Sequence, residues 1–348
     1  MIRQTALWLS GIAGFALALE LVCRLLPVST ATAPGYYTDP LILTYPPYHR
    51  WTTSTGWDLR NAQTRSANKQ GFVSGQDFEI NQLAVALVGD SFVEASMLPA
   101  QERPGEQLRR ALGSRPVYAM GGQGSALLDY AERIQFAHER FAVRDFVVLM
   151  EVGDVKQSVC GSGNIHGPCI NARTLAPQVE TKAPPSLAKA VLRQSALAQY
   201  LVSQLKFDFQ RLRSQAFRKP QHVNPATTLV VPKKVGVPDV PPPDQEAVML
   251  AFFKRIQPFA AAGRLVIVMD SDRRALYAAE TIRPDPARLR FIELARAAGA
   301  AVIDTEPLFR NHIAQSPLKL DVGPTDGHLN ALGIQIVVQA AAAQLNRP

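Results

Sequence analysis

Two stretches of this chain carry residue types that could do acyl chemistry together. The first is Leu83-Ala-Val-Ala-Leu-Val-Gly-Asp-Ser-Phe-Val-Glu-Ala95. Its aliphatic run, Leu83 to Val88, reads as a strand buried on both faces, and Gly89 lets the backbone turn at its end. Ser91 then stands at the carboxyl edge of a sheet, where open α/β folds place their sites. The second stretch is Thr325-Asp-Gly-His-Leu-Asn330. A serine nucleophile needs a base, and His328 stands out among the six histidines because Asp326 closely precedes it. An aspartate there can fix the imidazole tautomer and stabilise the imidazolium that forms when it takes a serine proton. Each stretch also has a plain structural reading. Gly-Asp-Ser can be a turn with a helix cap, and Asp326 and Asn330 can simply cap the last helix.

The elements that must position these stretches alternate along the chain. Buried strands are expected at 83–88, 117–120, 146–150, 264–269 and 300–303. Helices are expected at 101–112, 126–140, 244–262, 285–299 and 330–345. Pro286 in a first turn, after an Asp285 cap, and the stop at Gly299 support the fourth of them. This alternation predicts a three-layer α/β/α sandwich around a parallel sheet of about five strands. The catalytic domain then spans 48–348. It is interrupted at about 155–245 by a loop from Cys160 to Pro185, a basic helical stretch from Ser186 to about Phe217, and a proline-rich excursion from Lys219 to Pro243. Leu320 to His328 reads as a loop.

Hydrophobic residues make up 47% and charged residues 19% of the chain, which favours a globular protein over a disordered one. The net charge of +8 comes without zinc spacing, an RNP motif or a basic zipper, so no nucleic-acid partner is expected. Lys189, Arg193, Lys206, Arg211, Arg213, Arg218 and Lys219 supply much of the excess. They read as a solvated helix face, with a surface toward anionic lipid or polysaccharide as the alternative.

Residues 1–27 read as a transmembrane anchor and 28–47, rich in Pro, Thr and Tyr, as a stalk. Ala6 to Leu26 is just long enough to cross a hydrocarbon core of about 30 Å. Arg3 ahead of it orients the N-terminus to the cytoplasm. The expected location is therefore the inner membrane, with one pass and the C-terminal domain in the periplasm. A cleavable signal peptide ending near Ala31-Thr-Ala33 is the competing reading. Glu20 and Arg24 are four apart and can pair on one helix face. In an oxidising compartment Cys160 and Cys169 are expected to form a disulfide. Metal binding by Cys160, His166 and Cys169 is the alternative, but it lacks a fourth ligand. No cofactor is expected.

Gly-Asp-Ser after a first buried strand, a glycine turn after the second, and Asp-x-His-Leu-Asn before the last helix resemble the SGNH/GDSL hydrolases. The resemblance runs from about Trp51 to the C-terminus, with the interruption after Asp154. The anchor ending in Glu-Leu-Val-Cys-Arg-Leu-Leu26 and the motif Asn68-Lys-Gln-Gly-Phe72 look like bacterial membrane-anchored members. The resemblance implies Ser91 as nucleophile, His328 as base and Asp326 as its orienting acid. It also implies oxyanion donors at the N–H groups of Ser91 and Gly124. The Asp-x-His spacing is closer to alginate O-acetyltransferase-like members, which keeps acyl transfer open.

One departure stands out. The family's third block usually ends in Gly-Asn-Asp, and its Asn supplies a third oxyanion donor. Here the block reads Glu151-Val-Gly-Asp154, with Gly153 in the Asn position. Loss of one such donor typically costs about 10²–10³ in turnover. Gln123 and Gln157 are the nearby amides able to substitute. The resemblance thus implies an ester hydrolase acting on an acylated small molecule or polysaccharide. Its alternatives are an O-acyltransferase working on an envelope polysaccharide, and a binding or scaffold protein with a weakened site.

Overall fold

The computed structural model describes residues 2–151, 153–163, 167–205, 241–278, 285–323 and 326–347. They fall into two compact units. One comprises Met1–Thr32, Trp51–Thr64 and Pro184–Asp239, the other Ala33–Arg50, Arg65–Ala183 and Val240–Pro348.

The first unit contains the helix Ile2–Leu25, whose Leu7–Leu25 stretch is long and apolar enough to cross a membrane. Glu20 pairs with Arg24 at 2.7 Å. Its carboxylate also accepts from the Ser195 hydroxyl and from the N–H groups of Ala196 and Leu197. The helix expected from Ser186 is broken. It runs over Leu187–Leu192, restarts at Ala196–Gln199 and ends in a wide turn at Tyr200–Gln204. The break comes at Ser195, whose hydroxyl accepts from the Ala198 N–H and so caps a new helix rather than continuing the old one. The rest of this basic stretch, and the proline-rich segment up to residue 240, lie outside the described residues.

The second unit is built on five parallel strands. These are β1 (Val85–Gly89), β2 (Val117–Gly121), β3 (Asp145–Met150), β4 (Leu265–Met269) and β5 (Ala301–Asp304). Their order across the sheet is β2-β1-β3-β4-β5. Alternate residues of each strand point to opposite faces. Ala86, Val88, Phe146 and Val148 pack with Ile134 and Phe252 of the helices Leu127–Phe141 and Pro243–Ala260. Val85, Leu87, Val147 and Leu149 pack with Leu108 and Val337 of the helices Pro104–Ala111 and Ala331–Leu345. The result is the three-layer α/β/α arrangement. The chain leaves β1 toward one side for β2 and crosses to the other side for β3. That reversal opens a crevice at the carboxyl ends of β1 and β3, where such folds bind ligands.

Three expectations need correction. Residues 33–47 are not a free stalk, because Ile42 and Leu43 are buried and the Tyr45 hydroxyl donates to the buried Glu94 carboxylate at 3.1 Å. The interruption after Asp154 is not one body. Residues up to Ala183 belong with the sheet, including the strand pair Pro168–Ile170 and Pro177–Val179, while Pro184 onward belongs to the first unit. Leu320–His328 is not plain loop, since Asp321–Gly323 and Asp326–Leu329 form an antiparallel pair.

A buried arginine closes the edge of the sheet that carries Ser91. Arg133 is 1% exposed. Its Nη1 donates to the Gly89 carbonyl at 2.6 Å and the Met120 carbonyl at 3.2 Å, and its Nη2 donates to the Ser125 hydroxyl. Burial pulls its pKa down, against the charges of Asp129, Asp90 and Glu94. Arg133→Met should leave those carbonyls and acids without their partner. The expected loss is about 3–5 kcal/mol, measured by urea unfolding. A loss of stability below about 1 kcal/mol would contradict the clamp.

Candidate active site

The position of Ser91 follows from how β1 ends. Asp90 caps the short helix Ser91–Glu94, its Oδ1 accepting from the Phe92 N–H at 2.8 Å. That helix lies directly against the end of β2. A Cβ on Gly121 would come within 2.2 Å of the Glu94 backbone nitrogen, so no side chain fits there. The turn after β2 is tied in by the Gly122 N–H, which donates to the Asp90 carbonyl at 3.2 Å. Gly124 in that turn has φ +73°, a conformation that favours glycine.

His328 reaches the same place from the far end of the sequence. The strand pair Asp321–Gly323 and Asp326–Leu329 presents it, and Asn330 caps the following helix by accepting from the Gly333 N–H. The Asn330 amide also donates to the carbonyls of Lys319 and Asp321, which braces the turn. Arg273 fixes this turn to the end of β4. Its Nε donates to Asp321 at 2.7 Å, its Nη1 to the Asp270 carboxylate and its Nη2 to the Gly327 carbonyl. Asp270 and Arg273 are both buried, so each needs the other to offset desolvation.

The three residues singled out for acyl chemistry come together. His328 Nε2 is 2.9 Å from Ser91 Oγ, and His328 Nδ1 is 2.6 Å from Asp326 Oδ1. A carboxylate only accepts, so Nδ1 carries the proton and Nε2 is free to accept from the serine hydroxyl. The Ser91 hydroxyl has a second acceptor in reach, Asp90 Oδ2, at 3.3 Å. The shorter contact is the one to the imidazole. The Phe92 ring covers that imidazole with centroids 4.8 Å apart. Beside His328 opens a cavity of about 610 Å³, lined in part by Phe92, Arg274, Tyr277, Lys319 and Asp326.

The third block departs as its sequence implies. Gly153 caps the short helix Asp154–Gln157, and its own N–H donates to Glu151 Oε2 at 2.6 Å. Of the two amides considered as substitutes, Gln123 is committed elsewhere, donating to Glu94 and Ser96. Beneath the site Asp154 is fully buried and accepts from the Tyr130 hydroxyl and the Glu151 N–H. Burial and the charge of Asp90 push its carboxyl well above the usual range. Burial likewise pushes Asp90 up to about 6.

Cys160 and Cys169 are joined in a disulfide, which takes up both sulfurs. His166, the third member of the alternative metal set, lies outside the described residues. Sequence reasoning missed Arg273 as a brace for His328. The available signal was Asp270 at the end of a buried strand with an arginine three residues on, a spacing at which the two can meet on a helical turn.

No protein-family model and no curated protein matches the chain. Among solved structures it is similar to a member of the lipolytic protein G-D-S-L family from Veillonella parvula. That match has 12% identity and a TM-score of 0.38, and covers 76% of this chain and 99% of that one. It is also similar to an alpha/beta hydrolase enzyme from the metagenome of Lake Arreo, at 15% identity and TM-score 0.38, covering 78% and 99%. A third is a carbohydrate esterase family 2 enzyme with a carbohydrate-binding domain from Corynascus thermopiles (Myceliophthora fergusii). It has 11% identity and a TM-score of 0.34, covering 82% of this chain and 70% of that one. The G-D-S-L family named there is the one the serine and histidine motifs resemble. At these identities and TM-scores the likenesses carry no functional argument, which rests on the site's own geometry.

The imidazole must be neutral to accept a proton. Burial pulls the His328 pKa down, but the Asp326 hydrogen bond and the charges of Asp326 and Asp90 outweigh it, leaving it above the usual 6.5. Reaction of Ser91 should therefore fall on acidification with a midpoint above pH 6.5. Asp326→Asn should move that midpoint to lower pH and slow the reaction by up to about 10⁴. Reaction rates with a fluorophosphonate across pH would measure both. An acid limb that does not move in Asp326→Asn would assign it to Asp90 instead.

Proposed function

We propose that this chain is a serine-dependent ester hydrolase of the cell envelope. The observation that carries the reading is the unbroken hydrogen-bonded series from Ser91 Oγ through His328 to Asp326, at 2.9 and 2.6 Å. A binding protein with a lapsed site has no need to keep three side chains from two distant segments in that alignment.

In this reading His328 Nε2 takes the Ser91 proton as Oγ bonds to the ester carbonyl carbon. The carbonyl electron pair moves to oxygen, and the N–H groups of Ser91 and Gly124 are the proposed donors to that oxyanion. As the pair returns, the ester C–O bond breaks and the alcohol leaves with the proton from His328. Water, deprotonated by His328, then attacks the acyl-serine; as the acyl C–Oγ bond breaks, His328 returns that proton to Oγ, releasing the carboxylic acid and free Ser91. The cavity beside His328 carries charged and hydroxyl-bearing side chains such as Arg274, Tyr277, Lys319 and Asp321. Such a lining suits an acylated polar molecule or a polysaccharide better than a long aliphatic chain.

The envelope part of the proposal has two supports. One is the apolar helix near the N-terminus, and the other is the Cys160–Cys169 disulfide, which belongs in an oxidising compartment. With Arg3 on the cytoplasmic side, the anchor would hold the catalytic unit in the periplasm.

Ser91→Ala should abolish fluorophosphonate labelling while leaving the unfolding midpoint within about 1 kcal/mol of wild type. Persistent labelling would place the nucleophile elsewhere. A reporter fused after the last residue should be active if it is of a type that folds only in the periplasm. Activity from a cytoplasm-only reporter would remove the envelope location.

A further inference from the structure

We propose that the side-chain amide of Gln157 is a further catalytic residue, donating to the oxyanion through Nε2. The proposal rests on the serine-hydrolase reading above and starts from a donor without an acceptor. Apart from the Ser91 and Gly124 N–H groups already proposed as oxyanion donors, the neighbouring amide donors are taken. Gln123 donates to Glu94 and Ser96, the Gly153 N–H to Glu151, and the Gly122 N–H to the Asp90 carbonyl. The Gln157 side chain has no hydrogen-bond partner among the described residues.

Its position follows from the fold. β1 and β3 are adjacent and parallel, with Val88 opposite Val148. The segments that follow them, Ser91 on one side and Glu151 to Gly153 on the other, therefore leave the sheet side by side. Gln157 is four residues after Gly153, one helical turn on. Helical side chains lean toward the N-terminus, so the side chain at i+4 covers residue i. It does so here. A Cβ placed on Gly153 would lie 2.6 Å from Gln157 Nε2. An asparagine's own amide nitrogen stands two bonds beyond its Cβ, about 2.5 Å away. Gln157 thus brings an amide N–H to the distance from the backbone at which an asparagine at 153 would hold its own. Gly153 borders a cavity of about 750 Å³ that shares Glu151, Ser271 and Asp272 with the cavity beside His328.

The absence of a side chain at 153 acquires a physical reason. Gly153 has φ −85° and ψ −13°, which any residue adopts, so the glycine is not required by backbone conformation. A Cβ there would have to displace the ends of the Gln157 and Glu151 side chains, since Gln157 Nε2 and Glu151 Oε2 lie 2.6 and 2.8 Å from its position. The loss of one amide and the presence of the other are two sides of one arrangement.

The test uses the full chain and two readouts: the second-order rate of fluorophosphonate labelling, and kcat and KM for a short-chain aryl ester. Gln157→Ala should slow labelling and kcat by about 10²–10³ with little change in KM. Gln157→Glu keeps the size but offers no N–H, and should fall at least as far. Gly153→Asn alone should gain little, since Gln157 already supplies the amide. Gly153→Asn combined with Gln157→Ala should recover at least tenfold over Gln157→Ala, which a merely structural role for Gln157 would not predict. Labelling of Gln157→Ala at the wild-type rate would overturn the proposal while leaving the serine-hydrolase reading intact. Failure of the wild-type chain to label at all would overturn both.

Discussion

A guanidinium held out of water is costly unless it is hydrogen-bonded, and Arg133 is held fully out of water. Two of its partners are carbonyls at the ends of neighbouring strands, Gly89 of β1 and Met120 of β2. Because one planar group bonds both, it fixes the spacing between the serine turn and the glycine turn. Its charge also makes tolerable a set of buried acids that would otherwise be ruled out. Asp129, pushed up to about 6 by burial, feels that charge first among the influences pulling it back. Glu94 is buried beside it and needs donors, which Tyr45 and Gln123 supply. The segment around Tyr45 is thereby drawn into the fold.

A second arginine performs the corresponding task for His328. Arg273 joins the end of β4, through Asp270, to the turn that carries His328, through Asp321 and the Gly327 carbonyl. The serine side and the histidine side are thus each set by a buried arginine that bonds backbone carbonyls. Carbonyls are present whatever the side chains are, so this part of the bracing acts on chain path, while Asp270, Asp321 and Ser125 add partners specific to this sequence. The ring of Phe92 lies 5.8 Å under the Arg273 guanidinium and also against His328, linking the two sides of the site.

The strands were legible because parallel sheets buried on both faces demand uninterrupted aliphatic runs, and Leu83–Val88 or Phe146–Met150 have no other easy reading. Ser91, Asp326 and His328 were legible because each sits in a local pattern that ends a strand or begins a helix. What escaped was whatever depended on distant partners. Pro and Thr content around residues 33–47 suggests a stalk, and only Glu94 makes Tyr45 an interior residue. Asp321 and Leu329 form strand partners because Arg273 and Asn330 brace the turn between them, and no periodicity records that. The helix Thr305–Gln315 was missed although Asp304 caps it, because the residues after the cap show no clear apolar stripe. The break at Ser195 was hidden inside a stretch whose leucine spacing fits one continuous helix.

Ser91 and His328, the proposed nucleophile and base, are 237 residues apart in sequence yet 2.9 Å apart in space. A ribosome adding about 5–20 residues per second needs roughly ten seconds to a minute to cover that interval. Throughout it the growing chain displays Ser91 with no imidazole to activate it, and a serine hydroxyl alone is a poor nucleophile. The emerging polypeptide therefore cannot acylate itself on esters it meets before the C-terminal segment has docked. In the proposed reading, any fragment ending before Asp326 is chemically silent for the same reason.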